Sequence, residues 1–192
     1  MNKIMVFIFD GMTDYEITFI AHLLNSEAAK EIVTISYKDN LITGKTGFTY
    51  KPSKLVKDVL TEDVEGLIIP GGWQVETKTE LLELINNLNS KGKLIAAICG
   101  AGTVCLAKAG ILDKVKYTTP VVEWTQNHID GFGERDPFPR KNFISQRVVR
   151  DKNIITAQGI AFVDFAIEIC DWFSLFKNQE DRNNFTKDIK GL

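Results

Sequence analysis

Thiols and imidazoles are scarce in this chain. It has three Cys (Cys99, Cys105, Cys170) and two His (His22, His128), and only one of the five has a reactive setting. In Ala96-Ala97-Ile98-Cys99-Gly100-Ala101-Gly102-Thr103 an apolar run passes straight into small residues, then into the helical pattern of Val104, Leu106 and Ala107. Cys99 is thereby predicted on a tight strand-to-helix turn, where small neighbours let the chain bend sharply and expose a nucleophile. The positive end of the following helix pulls a thiol pKa from about 8.5 towards a range of about 3.5 to 7.5. A nucleophilic thiolate is the expected species; the alternative is a small residue buried at a strand end. Cys105 and Cys170 fall on apolar helix faces, where core packing is expected.

A second turn, Pro70-Gly71-Gly72-Trp73, follows the run Gly66-Leu67-Ile68-Ile69. Ligands of open parallel sheets gather beyond the carboxyl ends of the strands, so this turn and the Cys99 turn are expected to face one crevice. The backbone N–H groups of Gly72 and Gly100 are candidate oxyanion-hole donors, since glycine tolerates the backbone angles and close approach required. An ordinary glycine turn is the alternative. Trp73 either walls this pocket or caps the core. His128, in Trp124-Thr125-Gln126-Asn127-His128, is a candidate pocket residue from its own chain or a dimer mate, or else a solvated surface side chain. His22 lies roughly 240° round the helix from Glu16 and is set aside. There is no Cys-x-x-Cys and no His pair at ligand spacing, so no metal is expected. Pro70-Gly71-Gly72 lacks the spacing of a phosphate cradle, and no cofactor is expected.

The elements that must position these residues follow from the apolar pattern. Residues 4–9, 67–69 and 94–98 are continuous apolar runs, the mark of strands covered on both faces. Between them, Ile17, Ile20, Leu23 and Leu24 recur at helical spacing after Thr13, as do Leu81, Leu82, Ile85 and Leu88 up to Lys91-Gly92. Residues 32–37 read as a strand, 41–50 as a small edge hairpin, and 146–150 with 154–157 as a second hairpin across the polar turn Asp151-Lys152-Asn153. A last long helix is predicted over 160–176. Residues 130–141 read as a surface loop, and 178–192 as a terminal helix turn or frayed tail. One doubly wound α/β domain over residues 1–192 accounts for the pattern.

Bulk properties narrow the function classes. The 192 residues are 44% hydrophobic and 25% charged, normal for one soluble globular domain. With Lys plus Arg 23 and Asp plus Glu 25, the net charge of −2 has no basic excess, and nucleic acid is not an expected partner. No apolar run approaches the roughly 20 residues that span a bilayer, so no membrane partner is expected. The apolar stretch before Asp10 is shorter than a signal-peptide core, and the odd, unclustered Cys argue against a disulfide framework. The expected compartment is cytoplasmic, and the expected partner is a small-molecule substrate.

The ordered set Phe9-Asp10-Gly11, Asp14-Tyr15-Glu16, Ile68-Ile69-Pro70-Gly71-Gly72, Ala96-Ala97-Ile98-Cys99-Gly100 and Ile155-Thr156-Ala157-Gln158-Gly159 resembles the ThiJ/PfpI superfamily, within the class I glutamine amidotransferase-like fold. The resemblance implies a flavodoxin-like three-layer α/β/α sandwich with a mainly parallel sheet, and a homodimer. It also implies a reactive elbow cysteine with a glutamate from the first helix bonded to it, matching Cys99 and Glu16. A carboxylic acid buried beside the sulfur should hold its proton and donate it, and the same contact would stabilise a cysteine sulfinate. Without the resemblance, Glu16 reads as a first-turn acid complementing the helix dipole.

Departures from the pattern limit the transfer. Gly100 stands where peptidase-like members carry His, Thr119 of Tyr117-Thr118-Thr119-Pro120 stands where others carry His before the proline, and Ala157-Gln158-Gly159 replaces the glutaminase His and Glu. Peptidase and amidotransferase activities are therefore the weakest readings. Thr119 stays a candidate pocket residue. The expected function is a cysteine-dependent hydrolase, hydratase or glyoxalase-like enzyme acting on a small electrophile. The alternative is a redox-responsive stress or chaperone-like protein in which Cys99 is oxidised to sulfinate.

Overall fold

The computed structural model describes residues 2–191. The continuous apolar runs become the centre of the sheet. Strands β1 (Lys3–Phe7), β6 (Gly66–Ile69) and β7 (Leu94–Ile98) lie side by side, and Ile4, Met5, Leu67, Ile68, Ile95 and Ala96 are fully buried. Around them β2 (Glu31–Ser36), β5 (Lys54–Leu55), β8 (Val148–Asp151) and β9 (Ile154–Ala157) complete a seven-stranded sheet in the order β5-β2-β1-β6-β7-β9-β8. Met5 pairs in register with Val33 on one side and Leu67 on the other; all pairings are parallel except β8 with β9. Burial on both faces is why these strands carry no polar alternation.

The flanking helices are α1 (Tyr15–Ser26), α2 (Thr79–Ser90), α3 (Cys99–Lys108), α4 (Gln126–Phe132), α5 (Phe162–Trp172) and α6 (Gln179–Lys190). Helix α1 packs with α5, and α2 with α3. The result is the mostly parallel, flavodoxin-like α/β fold expected from the sequence. Among the described residues no helix is long and apolar enough to cross a membrane.

Four local expectations change. Residues 41–50 do form a hairpin, β3 (Ile42–Thr43) with β4 (Thr49–Tyr50), but as a separate two-stranded sheet, while β5 takes the edge of the main one. The cause is that its backbone is claimed by the β1–α1 loop: Gly11 N–H donates to Thr43 O at 2.9 Å, Lys45 N–H to Met12 O at 2.9 Å, and Thr43 N–H to Asp10 Oδ1 at 2.8 Å. The last long helix starts as a 3-10 turn, Gly159–Ala161, and α5 ends at Trp172, where Ser174 takes a left-handed φ of 56°. Residues 130–141 are partly helical, since α4 runs to Phe132 and a further 3-10 turn forms at Arg140–Asn142. The segment read as a terminal turn or tail is the full helix α6. Asn178 caps it by accepting from Asp181 N–H at 2.9 Å, and Arg182 ties it to Glu168 at 2.6 Å. Leu192 lies outside the described residues.

Candidate active site

The chain leaves β1 towards β2 on one side and later returns to β6 on the other, so a crevice opens beyond the carboxyl ends of β1 and β6. Three turns meet there. The β1–α1 loop and the β6 turn are joined by Thr13 N–H donating to Gly71 O at 2.9 Å. Glu16, second residue of α1, is 1% exposed, and Gly71 N–H donates to its Oε2 at 2.7 Å. From β7 comes Cys99, the first residue of α3, held at a left-handed φ of 63°. A non-glycine residue in that region costs on the order of 1–3 kcal/mol and persists only where its surroundings enforce it. Here Thr103 Oγ1 donates to Cys99 O at 2.6 Å and pairs with Thr119 Oγ1 at 2.8 Å, tying the elbow to the first turn of α3 and to the 117–121 segment.

The Glu16 carboxyl and the Cys99 thiol both border Gly71 and Gly159, and the Gly72 and Gly100 amides lie near enough to the sulfur to oppose the rise of its titration. Two glycines make this approach possible. A Cβ on Gly71 would lie 2.3 Å from Cys99 Cβ and 2.5 Å from Glu16 Oε2, and one on Gly159 would lie 2.8 Å from Glu16 Oε1 and 3.0 Å from Cys99 Sγ. The pair is thus clamped between two bare backbones.

Electrostatics follow from that enclosure. Burial pushes the Glu16 carboxyl up to about 7, against the opposing pull of the Gly71 N–H, the thiol and the Lys45 ammonium. Burial also pushes the Cys99 thiol up to about 11, and the Glu16 carboxylate adds to the rise despite the Gly100 and Gly72 amides. This corrects the expectation of a depressed thiol. A helix terminus and two amides do not outweigh desolvation combined with an anionic neighbour. Between roughly pH 7 and 11 the pair holds one proton, and thiolate forms when that proton sits on Glu16. Cys105 and Cys170 are buried in the core, their thiols pushed up to about 12 by desolvation.

A cleft of about 450 Å³ opens over the pair, lined by Thr13, Tyr15, Glu16, Lys45, Cys99, Pro120, Gln158, Gly159 and Ile160. Of the residues singled out in the sequence, the structure brings together Cys99, Glu16, Gly72 and Gly100. It places Trp73, Thr119 and His128 elsewhere. Thr119 is fully buried, bonded to Thr103 and accepting from Val121 N–H at 3.2 Å. Trp73 packs on the rings of His128 and Phe132 at 5.3 and 5.0 Å. His128 Nδ1 accepts from Thr125 N–H at 3.1 Å and lies 2.8 Å from Thr125 Oγ1, which spends that nitrogen on capping α4.

Sequence reasoning missed Lys45, and it missed Gly71 and Gly159 as the walls of the pair. The glycines carried a signal, since both lie in quoted turn motifs. Lys45 carried none, because a hairpin folded onto a distant loop brings it there.

Among known proteins, the chain is 28% identical over 184 residues to an uncharacterised protease of Bacillus subtilis, YoaZ, covering 91% of this chain and 85% of that one. It is 29% identical over 113 residues to a deglycase of Pyrococcus abyssi, covering 57% of this chain and 67% of the relative. A DJ-1 superfamily protein of Agrobacterium tumefaciens has the same fold, with a TM-score of 0.79 at 24% identity over 98% of this chain and 99% of its own. With the elbow cysteine, its acid partner and this fold in place, the match of the DJ-1/PfpI family pattern to residues 2–171 completes the assignment: the chain belongs to the DJ-1/PfpI family.

Proposed function

We propose that this protein is a cysteine-dependent enzyme acting on a small electrophilic carbonyl compound. The observation that carries this reading is the buried Glu16 carboxyl set beside Cys99, on its left-handed elbow, in the lining of an open cleft. Moving a proton from sulfur to carboxyl creates the thiolate without exchange with solvent. The thiolate forms a C–S bond to the carbonyl carbon, the C=O π pair moves onto oxygen, and Glu16 returns its proton to that oxygen. The N–H groups of Gly72 and Gly100 serve as the oxyanion donors. Relatives named as a deglycase and an uncharacterised protease support an enzymatic reading of the site. Peptide hydrolysis is the weaker version, since no His lines the cleft among the described residues.

The test is turnover of a panel of α-oxoaldehydes, amides, isocyanides and peptides. Wild type is expected to consume at least one small carbonyl member, and Cys99→Ser to reduce that rate at least about a hundredfold. Unchanged turnover in Cys99→Ser, or none in wild type, overturns the reading.

A second reading is favoured by a cleft lining that holds no imidazole among the described residues. Cys99 thiolate consumes two hydrogen peroxide molecules, yielding sulfinate and two waters, and the neutral Glu16 carboxyl donates to a sulfinate oxygen. Intact-mass measurement under graded peroxide is expected to show two oxygens added at Cys99 alone. Equal oxidation of the buried Cys105 and Cys170 would count against it.

A further inference from the structure

The charged side chains lining the cleft are Glu16 and Lys45. Above about pH 7 the Glu16–Cys99 pair carries one negative charge, and Lys45 is the cation that faces it across the lining, so any attraction of the cleft for an incoming anion comes from Lys45. Lys45 takes part in no ion pair among the described residues, yet its backbone is firmly placed. Its N–H donates to Met12 O at 2.9 Å, and the next residue, Thr46, donates from its N–H to Asp14 Oδ1 at 3.2 Å and from its hydroxyl to the same carboxylate. Tyr50 OH donates to Asp14 Oδ2 at 2.8 Å. Asp14 is 1% exposed; burial raises its carboxyl, but the Thr46 and Tyr50 bonds outweigh it and hold the group below the ordinary range. Gly44 lets the hairpin close on it, since a Cβ there would lie 2.5 Å from Asp14 Cγ. A buried carboxylate two residues before Glu16 therefore latches the β3–β4 hairpin in the position that brings Lys45 to the cleft.

We propose that Lys45 makes this cleft selective for anionic electrophiles, those carrying a carboxylate close to the carbon that Cys99 attacks, with Asp14 and Gly44 as positioning residues. The proposal rests on Cys99 being the nucleophile. Each part is separable with two alkylating reagents of nearly the same size, anionic iodoacetate and neutral iodoacetamide. Both form a C–S bond to the sulfur and expel iodide, and both consume the same thiolate, so the ratio of their rates cancels any change in thiolate population.

Rates at Cys99 are measured by peptide mapping at pH 7.5 and low salt. On passing from wild type to Lys45→Gln, the iodoacetate-to-iodoacetamide ratio is expected to fall about five- to tenfold, and further in Lys45→Glu. It should stay within about twofold in Lys45→Arg, and wild type should lose its preference in high salt. Asp14→Asn, which weakens the latch but keeps the ammonium, should give an intermediate ratio. The same ratio in wild type, Lys45→Gln and Lys45→Glu overturns the proposal while leaving Cys99 as nucleophile intact. A Cys99 that reacts with neither reagent faster than Cys105 and Cys170 overturns the enzymatic reading and this proposal with it.

Discussion

At pH 8, Glu16→Gln is expected to stabilise the folded protein by about 3 kcal/mol, while at pH 4 it changes stability little. Burial holds the Glu16 carboxyl at about 7 in the folded protein, against an ordinary value of 4.5. The folded state therefore binds this proton more tightly than the unfolded chain does. The stability contributed by the protonated acid is fully present below about pH 4.5 and is lost progressively as pH rises through about 7. Glutamine keeps an acceptor for the Gly71 N–H and carries no charge to bury, so it escapes that loss. The same substitution removes the group that takes the thiol proton. Turnover is expected to fall about a hundredfold or more, and the rise of activity through pH 7 in wild type should vanish. Urea unfolding at the two pH values, with a pH–rate profile, checks both halves. A stability change equal at pH 4 and pH 8 would show that Glu16 does not titrate between folded and unfolded values as described. A gain in stability coupled to a loss of function is expected where a site holds a group under electrostatic strain.

Gly71→Ala has the second largest expected effect, a loss of about 2–3 kcal/mol together with loss of Cys99 reactivity. Its new Cβ would stand 2.3 Å from Cys99 Cβ, 2.5 Å from Glu16 Oε2 and 2.9 Å from Cys99 Sγ. Neither neighbour has room to yield. Glu16 is bonded to the Gly71 N–H itself, and the Cys99 backbone is held at its left-handed φ by the start of α3. Gly92→Ala is the control. Gly92 has a positive φ of 64° with nothing within 4 Å of a new Cβ, so it should lose only about 1 kcal/mol through backbone strain and leave Cys99 chemistry unchanged. Thermal melts and iodoacetamide labelling of both variants give the comparison. Equal labelling of Cys99 in Gly71→Ala and Gly92→Ala would mean that the close approach at Gly71 is not what shapes the pair.

Much of the architecture was legible because burial writes a direct signal. Residues 4–9, 67–69 and 94–98 are unbroken apolar runs since helices cover both faces of the central strands, and Gly71, Gly72 and Gly102 stand where an added Cβ would run into a neighbouring segment of the chain. The hairpin at 41–50 was legible as a hairpin but not in its place, because its register is set by Asp10, Met12 and Asp14, side chains and backbone of a loop far from it in sequence. Helix α6 was obscured by a polar composition; it depends on an Asn178 cap and on ion pairs to α5 rather than on a long apolar stripe.

The site divides in the same way. Local sequence determined that Cys99 is a thiol on a strand-to-helix elbow and that Glu16 opens the first helix, because a turn and a helix start are encoded by neighbours. Only the tertiary structure decided what those two groups are. Folding buries the acid against the sulfur between Gly71 and Gly159, so desolvation and mutual charge raise both titrations and leave a single proton to be shared, where the elbow alone implied a free thiolate. It also left Trp73, Thr119 and His128 out of the cleft and brought Lys45 in. Electrostatic environment is a property of distance and solvent exclusion, and the groups that set it here are separated by dozens of residues along the chain.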